Sequence, residues 1–149
     1  MTEVEFHTGV ADPTAFACRL LRKACRQGVR VQVTAPPEVL NTLDRALWTQ
    51  EERDFIPHVR MPGAAEAVAV RTPIWLTPQA GRVGEAAQSG APRVLVNLGA
   101  PVPQDMQSLD RLVEIVGAEP DDAAQGRERW RQYKAAGLHI KHHAASGRD

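Results

Sequence analysis

The segment Glu3-Val4-Glu5-Phe6-His7 alternates polar and apolar residues with a period of two and predicts a first strand. Asp12 followed by Pro13 has the form of a helix N-cap with proline at the first helical position, and predicts a helix to about Gln27. Phe16, Leu20, Leu21 and Ala24 form its apolar stripe. Arg19, Arg22, Lys23 and Arg26 form its water-facing side, and Gly28 ends it. A second strand over 29–33 completes a β-helix-β unit with short connections, which implies a right-handed parallel crossover. Pro36-Pro37 opens another helix, with Leu40, Leu43 and Leu47 on its buried face, that runs out at Trp48-Thr49.

The middle of the chain is rich in loop residues. Phe55-Ile56-Pro57-His58 and Pro62-Gly63 read as loop, 67–70 as a short strand, and 74–77 as a strand closed by Pro78. A polar loop rich in Gly and Ala runs from Gln79 to Pro92. Residues 93–98 are almost continuously apolar, the mark of a central parallel strand covered on both faces. Another strand follows at 112–116, and a last helix runs from about Pro120 to Ala136 and stops at Gly137. The pattern predicts one α/β domain over 1–140, an open and mainly parallel sheet flanked by helices, with a frayed tail over 141–149.

Composition narrows the function. The 149 residues carry 18 basic and 18 acidic side chains, so no global positive field exists to hold nucleic acid non-specifically. The charge is nonetheless uneven. Residues 19–30 hold five cations and no acid, 101–124 hold six acids against Arg111, and 125–149 hold six cations against Glu128 and Asp149. No apolar run approaches the ~20 residues of a bilayer span. The acidic start Met1-Thr2-Glu3-Val4-Glu5 lacks the features of a signal peptide, so a cytoplasmic location is the expectation. Cys18 and Cys25 fall on one helical face, ~10 Å apart along the axis, too far for a disulfide. They read as packed thiols.

An open α/β sheet invites a nucleotide-binding reading, but neither Gly-x-Gly-x-x-Gly nor Gly-x-x-x-x-Gly-Lys-Ser/Thr occurs. The first strand-to-helix turn, Gly9-Val10-Ala11-Asp12-Pro13, places an acid where a phosphate would need bare amides. His139, His142 and His143 are the one histidine cluster; in a tail they suit adventitious metal affinity better than a structural site. No nucleophile elbow and no paired carboxylates appear, so no catalytic residue, cofactor or metal site is assigned. Two surface features remain. On the last helix Arg127, Trp130, Arg131 and Lys134 share a face within about 60° of arc. Tyr133, Ala123 and Ala136 are expected on the other side, against the sheet. The basic stripe is either a solvated face with Trp130 as a core lid, or a pocket for an acidic peptide. Trp48 and Phe55 are either core lids or interface anchors.

Several blocks, in order across nearly the whole chain, resemble the chi subunit of bacterial DNA polymerase III holoenzyme. They are the Cys-containing helix with Gly28 and its strand, Leu43-Asp44-Arg45-Ala46-Leu47-Trp48, Phe55-Ile56-Pro57-His58, and the run Arg127-Glu128-Arg129-Trp130-Arg131-Gln132-Tyr133-Lys134-Ala135-Ala136-Gly137. The resemblance implies a nucleotide-binding-like α/β topology without nucleotide binding, and an accessory subunit with no catalytic site of its own. It implies two partners: the psi subunit of the clamp loader complex and the acidic C-terminal tail of single-stranded DNA-binding protein, with single-stranded DNA contacted indirectly. By the same resemblance Arg127, Trp130, Arg131 and Lys134 fall on the tail-binding helix, and Trp48 and Phe55 on the psi-facing region. A family basic position falls here on Ala123. A small nucleotide- or metal-dependent enzyme using the sheet crevice is the alternative.

Overall fold

The computed structural model describes residues 2–49, 56–61, 65–78, 92–103, 106 and 109–145, with the backbone alone at 66 and 70. Among them seven strands form one open sheet: β1 (Glu3–Val10), β2 (Val31–Thr34), β3 (His58–Arg60), β4 (Ile74–Thr77), β5 (Val94–Asn97), β6 (Arg111–Gly117) and β7 (Ile140–Ala144). Their order is β3-β4-β2-β5-β6-β1-β7, and every neighbouring pair is parallel. Four helices accompany them: α1 (Pro13–Arg26), α2 (Pro37–Thr49), α3 (Glu66–Arg71) and α4 (Pro120–Ala135).

Alternation along the strands sorts the interior into separate cores. Val31, Val33, Val96, Val113 and Ile115 point to one face, where they meet Leu21 and Cys18 of α1 and Leu40, Leu43 and Leu47 of α2. Val4, Phe6, Leu95, Leu112 and Val116 point to the other, where they meet Tyr133 and Trp130 of α4. Trp75, Met61 and Ala69 make a third, smaller cluster. Asp12 caps α1 as expected, its carboxylate accepting from the Ala15 amide at 3.1 Å. Both cysteines are free thiols inside or half inside the first core, and burial pushes both above the ordinary thiol range.

The parallel relation of β1 and β2 holds, with β5 and β6 lying between them. Three expectations need correction. Residues 67–70 form part of α3, not a strand. A short Ala/Val alternation carries no decisive period, and burial of Ala69 with the Trp75 indole donating to its carbonyl at 2.7 Å decides for the helix. His58–Arg60, read as loop, pairs with β4 at the sheet edge. The chain is not frayed from Lys141: Ile140–Ala144 pairs with β1 from Val4 to Thr8. Of β7 only Ile140 is buried, so an edge strand held by its backbone ladder leaves little hydrophobic signature. The loop from Gln79 to Ala91 and Phe55 lie outside the described residues.

Candidate interaction site

Two devices seat α4 on the sheet. A Cβ at Gly126 would stand 2.8 Å and 2.9 Å from the two methyls of Val116. Only glycine therefore lets the helix approach β6 so closely. Below the next turns, Glu114 sits fully buried in the middle of β6. Its carboxylate accepts from Arg129 Nε at 2.9 Å, from Asn97 Nδ2 at 2.9 Å and from the Tyr133 hydroxyl. Asn97 is itself fixed by the Ala100 backbone, donating to its carbonyl and accepting from its amide at 2.8 Å each. Burial pushes the Glu114 carboxyl up, while Arg129, Tyr133 and Asn97 favour its charged form. Burial, then the Glu114 charge, push the Tyr133 hydroxyl far above its ordinary range. Arg129 is thereby spent on the fold, and the outward-facing cations of this turn are Arg127, Arg131 and Lys134.

Beside the helix, between α4 and the β1–β7 edge, lies a cavity of about 590 Å³. Its floor is made of residues with little or no side chain, Gly9, Gly117, Ala118, Ala123 and Gly126; Phe6, Val116 and Trp130 form the apolar wall. Arg127, Arg131, Thr8 and His142 complete the lining. Trp130 is half-buried. One side of its indole meets Phe6 edge-on (centroids 4.9 Å apart) and the His142 ring at 5.4 Å. Lys134 stands 6.0 Å from the Trp130 ring, and Arg131 pairs with Glu128 at 3.2 Å on the exposed surface. Core lid and pocket wall are thus one residue. Tyr133 packs inward as expected, but Ala123 lines the cavity and Ala136 is exposed, so neither belongs on the sheet-packed side.

An apolar cavity with two guanidiniums in its lining on the final helix is joined by a whole-chain match. A sequence model described as "DNA polymerase III chi subunit, HolC" matches residues 1–141. The chain belongs to the DNA polymerase III chi subunit family. It is 34% identical to the DNA polymerase III subunit chi of Pseudomonas aeruginosa (strain PAO1) over 149 residues, covering 96% of each chain. Membership makes this chi-family protein an accessory subunit in DNA replication, with protein partners in the holoenzyme. Among the described residues no helix is long and apolar enough to cross a membrane.

The second sequence feature sits at the far edge of the chi-family sheet. Trp48 ends α2 with 58% of its surface exposed, its ring edge-on to His58 at 5.3 Å. His58 is locked between the Asp44 carboxylate and the Ile56 carbonyl, each 2.7 Å away. With more than half its surface exposed, Trp48 is no core lid. The cavity's Phe6, Thr8 and His142, and the Glu114 network, were missed from sequence. An acid inside the apolar run Leu112-Val113-Glu114-Ile115-Val116 was the available signal for the network. The histidine cluster does not hold together: His139 precedes β7, His142 faces α4 and the cavity, and His143 faces the α1 side with His7 and Glu5. Those last three are the metal-capable group among the described residues.

Proposed function

We propose that this chi-family protein is a tether. It joins the clamp loader, through psi, to the acidic C-terminal tail of single-stranded DNA-binding protein, and does no chemistry of its own. The observation that carries this reading is the α4 cavity, whose small-residue floor and Phe6/Trp130 wall suit the terminal phenylalanine of such a tail. Arg127 and Arg131 stand where they can take the α-carboxylate and the adjacent aspartates by charge-assisted hydrogen bonds. Lys134, beyond Trp130, suits an earlier aspartate. With Ala123 in the lining, the peptide loses one basic contact and gains room for its ring. A short peptide held this way reaches affinities on the order of micromolar, about −8 kcal/mol. Many tails on DNA-coated tetramers raise the effective concentration, and with it the residence at a fork in the cytoplasm.

The psi surface is assigned to Trp48, with Phe55 seven residues on in the sequence. Trp48 touches β3 and Trp130 touches β1 and β7, the two opposite edges of the sheet. Seven strands at ~4.8 Å spacing put those edges roughly 29 Å apart, and α2 and α4 pack on opposite faces. Both partners therefore bind without competing. The deciding experiment is fluorescence anisotropy of a labelled acidic peptide ending in phenylalanine. Arg127→Ala is expected to weaken binding about ten- to a hundredfold, the worth of one charge-assisted contact, and to leave psi binding unchanged. Unchanged peptide affinity would reduce the stripe to a solvated face. Saturable binding of ATP or NAD would favour the enzyme reading instead.

A further inference from the structure

We propose that Glu5, His7 and His143 form a binding site for a divalent first-row transition metal, with zinc the best fit, that ties strand β7 to β1. Glu5 and His7 are two apart on β1 and so share a face of the sheet, the side of α1, where the His7 ring lies 5.0 Å from Phe16. The parallel register sets His143 directly beside His7. The two imidazoles stack with centroids 4.8 Å apart and planes 14° from parallel, and His7 Nε2 lies 3.7 Å from Glu5 Oε2. One ligand atom from each of the three residues falls within 4.8 Å of the others.

Two imidazole nitrogens and one carboxylate oxygen are the donor set of zinc and its neighbours; calcium and magnesium take oxygen ligands almost exclusively. Metal–ligand bonds of ~2.1 Å in a tetrahedron require donors ~3.4 Å apart, so the site must contract by roughly an ångström. His143, exposed on an edge strand, supplies that movement by changing rotamer. A cavity of about 250 Å³ lined by His7, Phe16, His143 and Ala145 gives a fourth ligand, water or a small anion, its place. Arg111 bonds the Glu5 carboxylate at 2.8 Å, which orients it but also sets a positive charge beside the metal. Affinity on the order of micromolar follows, not the tighter grip of an all-thiolate site. His142 points to the opposite face and His139 precedes the strand, so neither is a ligand.

The test is calorimetric titration of Zn²⁺ into the full chain carrying no histidine tag. One equivalent is expected to bind. Glu5→Gln, His7→Ala and His143→Ala should each weaken binding roughly tenfold or more, whereas His139→Ala and His142→Ala should leave it within about twofold. At hundredfold excess over Kd, Zn²⁺ should raise Tm by about 5–10 °C in the unaltered protein and not in His143→Ala. That side chain is exposed, so His143→Ala is the variant that must fold, as circular dichroism checks. Absence of saturable one-to-one binding up to about millimolar Zn²⁺ would overturn the proposal. So would a loss in His139→Ala equal to that in His143→Ala, unchanged affinity in Glu5→Gln, or equal binding of Mg²⁺.

Discussion

Glu114→Ala is expected to bring the protein close to unfolding, although it touches no surface a partner would use. The carboxylate accepts three side-chain hydrogen bonds in a fully buried site. Truncation leaves the Arg129 guanidinium, whose side chain is 8% exposed, without its counter-charge. Breaking a buried ion pair from one side costs about 3–5 kcal/mol. The Tyr133 hydroxyl loses its acceptor as well, for ~1–3 kcal/mol. Asn97 fares better, because Ala100 still accepts from its amide. These losses share a network and do not simply add. A total of roughly 4–6 kcal/mol is a large part of the ~5–15 kcal/mol that ordinary domains possess.

Urea unfolding followed by tryptophan fluorescence and by circular dichroism measures that loss directly. The companion experiment is the double variant Glu114→Leu/Arg129→Met, which removes both charges and fills the volume. It should recover most of the loss and finish within ~2 kcal/mol of the unaltered protein, since apolar replacement of a whole buried pair is often nearly neutral. A cost below ~1 kcal/mol for Glu114→Ala, or a double variant no better than the single, would show that the network does not hold α4 to the sheet.

Three further outcomes are expected. Trp48→Ala should fold normally, being exposed, yet lose ~2 kcal/mol or more of psi affinity in a pull-down or titration; undiminished binding removes Trp48 from that surface. Glu128→Gln should strengthen acidic-peptide binding two- to threefold, roughly the worth of a surface ion pair, because Arg131 no longer divides itself between Glu128 and the ligand; weaker binding would contradict this. Tyr133 is the single tyrosine, so absorbance near 295 nm titrates it alone. Its folded-state pKa lies above the ordinary value of 10.0, so the stability it contributes is complete below pH 10 and falls as pH rises beyond. Ionisation should therefore appear only together with alkaline unfolding, and at an ordinary pH in urea; free titration near pH 10 in the folded protein would refute the buried assignment.

How much of this was legible in the sequence depended on whether a residue's neighbours lay along the chain or across the sheet. Leu40, Leu43 and Leu47 announce α2 because their spacing is local, and the apolar run over 93–98 announces a central strand by itself. The grouping of Arg127, Trp130 and Arg131 was equally visible from helical spacing. The far wall of their cavity was not, since Phe6, Thr8 and His142 reach it from strands at the two ends of the chain. Ala123 looked like a packing residue for the same reason: its role is set by what faces it. β3 and β7 are short edge strands with mostly half-buried or exposed side chains, and period-two reasoning has little to act on there.

On the proposed tether reading, the position of the cavity also bears on how load is transmitted. Its wall is built on β1 and β7, the last strands at one edge, while Trp48 sits over β3 at the other. Force between two partners so placed would cross the sheet through six parallel ladders in series, so each ladder would carry the whole load and the weakest would yield first. The ladder β7 makes with β1 is the outermost on the cavity side, and of the β7 side chains only Ile140 is buried. A release under load would therefore begin at β7, where loss of His142 from the cavity lining would loosen the grip on the peptide before the rest of the fold yields.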